Sequence, residues 1–326
     1  MAYFKSKTGK WLALVAAFSL AFGPAAAAPT APPSTEGPAA GARAPAAPRP
    51  SGGTTPRPAI WLLADEDTQI YLFGTIHILP PNLQWRSAEL NRVVAAADEL
   101  VLEIAADPTG DEREGLGALM GLGKRVPIAH RVAPERRAAL EAMIAESGLP
   151  IETFDAMQTW AVAVALSAMA IAETYAGDSG VAPEALTGVE DALRADFLAN
   201  NRRVSGVETT EQQLRIFARM PLHAQRAMLE SMIDAYSSGD NGVMDPDEDG
   251  WVRGDIERIA AEMEAMPPEM FTALLVQRNS AWVDYLIARL DRPGTVLFAV
   301  GAGHLAGNSS VQNMLGARGF SVTRVN

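Results

Sequence analysis

Two of the four histidines stand in the same setting. In "QIYLFGTIH" and in "TVLFAVGAGH" a strand-like apolar run ends in glycine, two further residues and a histidine, which gives His77 and His304. Imidazole ligates metals and moves protons near neutral pH. A third group is Glu103, in "DELVLEIAAD". Alternation there puts Leu100 and Leu102 on one face and Val101 and Glu103 on the other. A carboxylate inside an apolar run is costly unless it is paired or bound to a cation. Two imidazoles and a carboxylate suit a divalent metal with open positions. Such an ion would lower the pKa of its water and polarise a carbonyl. Alternatively, Glu103 is the general base and the metal takes another ligand. Paired with a helix lysine or arginine, it would serve structure alone.

These residues can meet only if the right elements carry them. Short strands are expected at 60–63, 69–73, 99–104, 202–207, 295–300 and 320–325. Helices are expected at 87–97, 134–146, 152–175, 189–200, 210–218, 222–237, 254–263, 268–290 and 310–316. The alternation predicts an α/β fold, a mixed central sheet of about six strands flanked by helices, with a large helical insert between the third and fourth strands. Ligands of open α/β sheets bind beyond the carboxyl ends of the strands. If the two histidine-bearing strands are parallel neighbours, His77 and His304 converge there. Gly74 and Gly301 then supply the sharp exit and the close approach, beside any bound cofactor.

The bulk of the chain narrows the function classes. With 27 basic residues against 39 acidic ones, the formal charge is −12. An acidic chain argues against nucleic acid as partner. There is no cysteine, so any metal must use His, carboxylate or carbonyl ligands. Lys5, Lys7 and Lys10 precede the 12-residue apolar run from Trp11 to Phe22 and the small-residue stretch "GPAAAA". This reads as a signal peptide over residues 1–27, cut after Ala27, in a bacterial periplasmic or secreted protein. Removing it leaves 24 basic residues against 39 acidic and a charge of −15. Residues 28–57 are rich in Pro, Ala and Gly and read as a disordered linker. The folded domain is expected over 58–326. The uncharged run from Ala156 to Ala172 is rich in alanine and bounded by Asp155 and Glu173. It reads as a buried helix, so no stable transmembrane span is expected after leader cleavage.

Three further patterns are read as structural. "DPDEDGWVRGDI" places Asp245, Asp247, Asp249 and Gly250 like a calcium loop, but Ile256 stands where a bidentate glutamate is needed. "GDSG" at 177–180 lacks the sheet context of a serine nucleophile, and Ser179 is read as a loop residue. Thr209 and Gln212 in "GVETTEQQL" fit a helix capping box. Glu208, ending the strand before it, is a minor site candidate. His130 and His223 are read as surface residues.

Several stretches, in order, carry a resemblance: "IWLLADEDTQIYLFGTIHILP", "ADELVLEI", "VSGVETTEQQL", "WVRGD", "QRNSAW" and "VLFAVGAGHLAG". Together they resemble the TraB/GumN family, grouped with the Tiki and PrgY proteins, over residues 58–326. The resemblance implies an EreA/ChaN-like fold. For Tiki-like members it implies metal-dependent proteolysis, with manganese or cobalt ahead of zinc and a peptide or protein as substrate. It marks Gly74, His77, Glu103, Arg278, Asn279, Gly301 and His304 as motif positions. Arg278 would stabilise an oxyanion or grip a substrate carboxylate. Gln277 stands where the family carries glutamate, and no role is assigned to it. The alternative is a non-catalytic metal- or haem-binding regulatory protein of the cell envelope, linked to exopolysaccharide export.

Overall fold

The structure, a computed structural model, describes residues 55–79, 83–105, 110–179, 187–238 and 248–326. The leader and nearly all of the linker lie outside them. The strands Ile60–Ala64 (β1), Thr68–Thr75 (β2), Glu99–Leu102 (β3), Arg203–Gly206 (β4), Gly294–Gly301 (β5) and Val322–Arg324 (β6) form one sheet. Its order is β4-β3-β5-β2-β1-β6. The four strands β4, β3, β5 and β2 are mutually parallel, and β1 is antiparallel to both β2 and β6.

Each strand's composition matches its place. In β2 and β5 almost every residue is buried, as expected of strands covered on both faces. Ile70 and Leu72 of β2 face one apolar layer, while Tyr71 and Phe73 face the other. Leu100 and Leu102 likewise oppose Val101, as the alternation requires. The edges are short: four residues in β4 and three in β6, which limits unwanted pairing. The turn "ADEDT" closes through Asp65 Oδ1, which accepts from the amides of Asp67 and Thr68 at 3.2 and 2.9 Å.

Helices cover both faces. Ala88–Ala96 (α1) and Val189–Ala199 (α6) pack on one. Gln277–Leu290 (α12) and Val311–Ala317 (α13) pack on the other. Between β3 and α6 the chain builds Gly110–Met120 (α2), Arg137–Glu146 (α3), Ile151–Asp155 (α4) and Thr159–Ser179 (α5). Between β4 and α12 lie Thr210–Arg219 (α7), Leu222–Ser237 (α8), Glu248–Arg253 (α9), Ile256–Glu264 (α10) and Pro268–Phe271 (α11).

The helical insert thus has two sources. Residues of α2–α5, from before β4, share one core with residues of α7, α8, α10 and α11, from after it. Trp160 of α5 stacks on Phe217 of α7 within that core, with ring centroids 6.1 Å apart. Four other expectations change. Helix α2 was not anticipated, because Gly115 and Gly117 interrupt its pattern; packing against α7 holds it. The helix expected over 152–175 is broken at Ala156–Gln158, where Met157 bridges to Gly121. Ser179 closes α5 instead of lying in a loop. Asp245 and Asp247 lie outside the described residues, and Asp249, Gly250 and Val252 sit on helix α9. Trp160–Val164 of the alanine-rich helix are buried, and among the described residues no helix is long and apolar enough to cross a membrane.

Candidate functional site

Strand β5 lies between β2 and β3, with Thr75 opposite Gly301 and Ala299 opposite Leu102. The carboxyl ends of all three therefore open on one edge. His77 follows β2 by two residues and Glu103 follows β3 directly. His304 sits in the 3-10 turn Ala302–Leu305 after β5. Glu208, two residues past β4, joins them from the fourth parallel strand. The adjacency that the paired histidines require is met.

The two motif glycines work by close approach. A Cβ on Gly74 would come within 3.0 Å of Ala302 Cα, so the turn after β5 rests on the end of β2. Gly74 therefore packs the two motifs together. Gly301 faces the site. A Cβ there would lie 3.2 Å from Glu103 Oε1, 3.3 Å from His77 Nε2 and 3.7 Å from His304 Cδ2. The three side chains converge on a space that only glycine leaves open. With φ −47° at Gly301, conformational freedom is not what selects it.

His77 is held from behind. Its Nδ1 lies 2.7 Å from Glu190 Oε1, which also accepts the Thr75 hydroxyl at 2.5 Å. Glu190 is on the first turn of α6, and Gly188 caps that helix. The Val189 amide donates to the Ile76 carbonyl at 3.0 Å. A Cβ on Gly188 would stand 2.5 Å from the His77 carbonyl oxygen, so this glycine lets α6 approach. Burial disfavours the charged ring, but the carboxylate of Glu190, helped by Glu103, outweighs it. The pKa of His77 rises to about 9. Its side chain keeps 28% exposure, which moderates the shift without reversing it. At neutral pH His77 is an imidazolium with Nε2–H directed toward Gly301.

Opposite His77 lies a buried ionic cluster. Arg278 Nη2 donates to Glu103 Oε2 at 2.5 Å and to Glu208 Oε2 at 2.8 Å. Its Nε donates to Glu208 Oε1 at 3.0 Å. Gln213 Nε2 bridges the two carboxylates, at 3.1 Å from Glu103 and 2.7 Å from Glu208. Trp282 Nε1 also donates to Glu208, and the guanidinium lies over the Trp282 ring. The other oxygen of Glu103 accepts the Gly301 amide at 2.8 Å. Burial would raise the pKa of Glu103, but Arg278 above all, then His304, His77 and the Gly301 amide, hold it well below the ordinary range. Burial works against the charge on Arg278 as well, and Glu103 with Glu208 reverses that. Glu103 is thus paired with a helix arginine through Oε2, while its Oε1 faces Gly301 beside His77.

His304 is fully buried against Trp282, with ring centroids 4.3 Å apart. Asn279 fixes its tautomer. The Asn279 Nδ2 donates to the carbonyls of Ser309 and His304 at 2.7 and 3.3 Å. This leaves Oδ1 to accept from His304 Nδ1 at 2.5 Å. The remaining nitrogen, Nε2, faces Arg278 Nη1 at 3.0 Å. Burial first, then Arg278, lowers the His304 pKa to about 3, so the ring is neutral.

The donor types meet a metal's needs only in part. Both histidines are held at Nδ1 by an oxygen acceptor, an arrangement common around metal ligands. The Nε2 of His304 and one oxygen of Glu103, however, already face Arg278. Among the described residues no group of three or more His, Asp or Glu side chains is arranged to hold an ion. As placed, His77, His304 and Glu103 do not fit a shared metal.

The chain matches the profile of the TraB/PrgY/gumN family over residues 59–324. The chain belongs to this family. No curated protein and no solved structure matches it. For this TraB/PrgY/gumN chain, the expected positions His77, Glu103, Arg278, Asn279, Gly301 and His304 come together, with Gly74 behind them. Glu208, the minor site candidate, belongs to the cluster, while Thr209 and Gln212 do form the capping box. His130 and His223 are exposed and distant in role; His223 pairs with Glu269 at 3.1 Å. Glu190, Gln213 and Trp282 were missed. One signal was available: Gly-Val-Glu occurs at 188–190 and again at 206–208. In both copies the glycine packs on the backbone of a site residue, His77 or Glu103, and the glutamate braces the site.

Proposed function

We propose that this chain is a hydrolase, peptidase-like in its chemistry, whose reacting groups meet in the space above Gly301. One observation carries the reading. His77 Nε2 and Glu103 Oε1 converge over the Cα of Gly301, 3.3 and 3.2 Å from where a Cβ would stand, and each is held by its own brace. A water held between Glu103 Oε1 and His77 Nε2, clear of the Gly301 Cα, would pass a proton to Glu103 Oε1 as its oxygen attacks a carbonyl. His77, protonated at neutral pH, would give its Nε2 proton to the departing nitrogen or oxygen as general acid. Glu190 would stabilise the charged ring before transfer. Arg278 and Glu208 would keep Glu103 ionised and in place. The five N–H donors of Arg278 all have acceptors within the protein, so contact with an oxyanion is not asked of it.

The test is hydrolysis of peptide and ester libraries by the full chain, beside His77→Gln and Glu103→Gln. Cleavage by the wild type that falls at least a hundredfold in both folded variants is expected. With His77 as acid, the rate should decline as pH rises through about 9. A rate that climbs through that value would make His77 the base. Absence of hydrolysis across both libraries would favour the binding-protein reading.

A further inference from the structure

Arg278 reaches both groups that a divalent ion would have to bridge, Glu103 at Oε2 and His304 at Nε2, while His304 Nε2 and Glu103 Oε1 stand 3.8 Å apart. Arg278 is 6% exposed, and its contacts use the whole guanidinium. Nε serves Glu208, Nη2 serves Glu103 and Glu208, and Nη1 serves the Leu274 carbonyl and His304 Nε2. Trp282 covers one face of the group at 4.8 Å. This is the geometry of a built site, not of a mobile side chain resting in a pocket.

The backbone supports it. Residues Thr272–Val276 form a π-helical turn immediately before α12. Such turns are uncommon and are frequently found at functional sites. The consecutive residues Arg278 and Asn279 then take hold of His304 at its two nitrogens. Asn279 requires the proton on Nδ1, so Nε2 is left with a lone pair, and that lone pair points at Arg278. A metal ion would need the same lone pair. It would also need Glu103 and would sit against a fixed positive charge. Both occupants cannot be accommodated.

We propose that Arg278 is the resident cation of this site, filling the position of a divalent ion between Glu103 and His304, so that His304 serves as a brace for Arg278 and not as a metal ligand. The guanidinium supplies the positive charge that holds Glu103 ionised, and it does so without an exchangeable ion. The inference goes beyond the hydrolase reading and does not depend on it, because metal binding is read without substrate.

The experiment uses the full-length chain and adds Co²⁺ or Mn²⁺ separately. Binding is followed by equilibrium dialysis, and the His304 ring signals are followed by NMR during Co²⁺ addition. The wild type should show no Co²⁺-induced paramagnetic shift of His304, and His304→Ala should leave metal affinity within twofold of wild type. Arg278→Gln should bind either ion at least tenfold more tightly, and adding His304→Ala should cancel the gain. Stoichiometric metal in the wild type with a large His304 shift would overturn the proposal. So would a folded Arg278→Gln chain with unchanged affinity. Should Arg278→Gln fail to fold, the NMR result on the wild type decides alone.

Discussion

His77 Nδ1 and Glu190 Oε1 are 2.7 Å apart, which couples the end of β2 to the first turn of α6. The pair has a pH signature. The folded pKa of His77 is about 9, against about 6.5 in an unfolded chain. The folded state therefore binds the proton more tightly. This contribution is fully present below about pH 6.5 and is lost as pH rises through about 9. Allowing for the partly exposed ring, it amounts to roughly 2 kcal/mol. Urea unfolding at pH 6.5 and 9.5 should show that loss in the wild type, and Glu190→Gln should largely remove it. Equal pH dependence in both would mean that the pair does not stabilise the charged ring.

Gly301→Ala should cost activity more than stability. The added methyl would enter the space shared by Glu103 Oε1 and His77 Nε2. The backbone at φ −47° accepts alanine. Stability should fall by about 1–3 kcal/mol, and hydrolysis should fall further than that loss explains, roughly a hundredfold. Thermal melting beside the peptide assay checks both halves.

Glu208→Ala should be costly to folding. It strips Arg278 of three contacts and leaves Trp282 Nε1 without its acceptor. Removing one partner of a buried ionic cluster costs about 3–5 kcal/mol. Glu208→Gln keeps acceptor and shape and should lose less. A denaturant midpoint equal to wild type in both variants would refute the structural weight given to this cluster.

Gly188→Ala should act on His77 from the far side. Its methyl would meet the His77 carbonyl oxygen at 2.5 Å and Glu190 Oε2 at 2.8 Å. The α6 terminus must then retreat, at a cost of roughly 1–3 kcal/mol. The His77 pKa, read by NMR titration, should drop toward 6.5 as Glu190 moves away. An unchanged titration would show that α6 tolerates the methyl in place.

Much of the site could be read from local pattern. Apolar runs ending in Gly-x-x-His marked the ends of β2 and β5, and alternation placed Glu103 on the opposite face from Leu100 and Leu102. Six strands at nearly the right positions followed from the same signals. What escaped was long-range. Glu190 sits on an ordinary amphipathic helix, and only the Gly-Val-Glu it shares with 206–208 sets it apart locally from a solvated acid. Its partner lies 113 positions away in the chain. Arg278 was flagged by its motif, but its partners were not, because they depend on how α12 crosses the strand ends. Helix α2 escaped because its glycines weaken the periodic signal that packing later overrides.

The place of β5 in the sheet has a consequence for how the protein comes into being. The strand lies between β2 and β3, although both precede it by about 200 residues. A chain emerging from its N-terminus has His77, Glu103 and Glu208 long before it has Gly301 and His304. The two halves of the sheet must wait for their central member, and closing so large a loop slows assembly. Every incomplete chain therefore lacks Gly301 and His304. The candidate site is therefore assembled only once β5 has been inserted between β2 and β3.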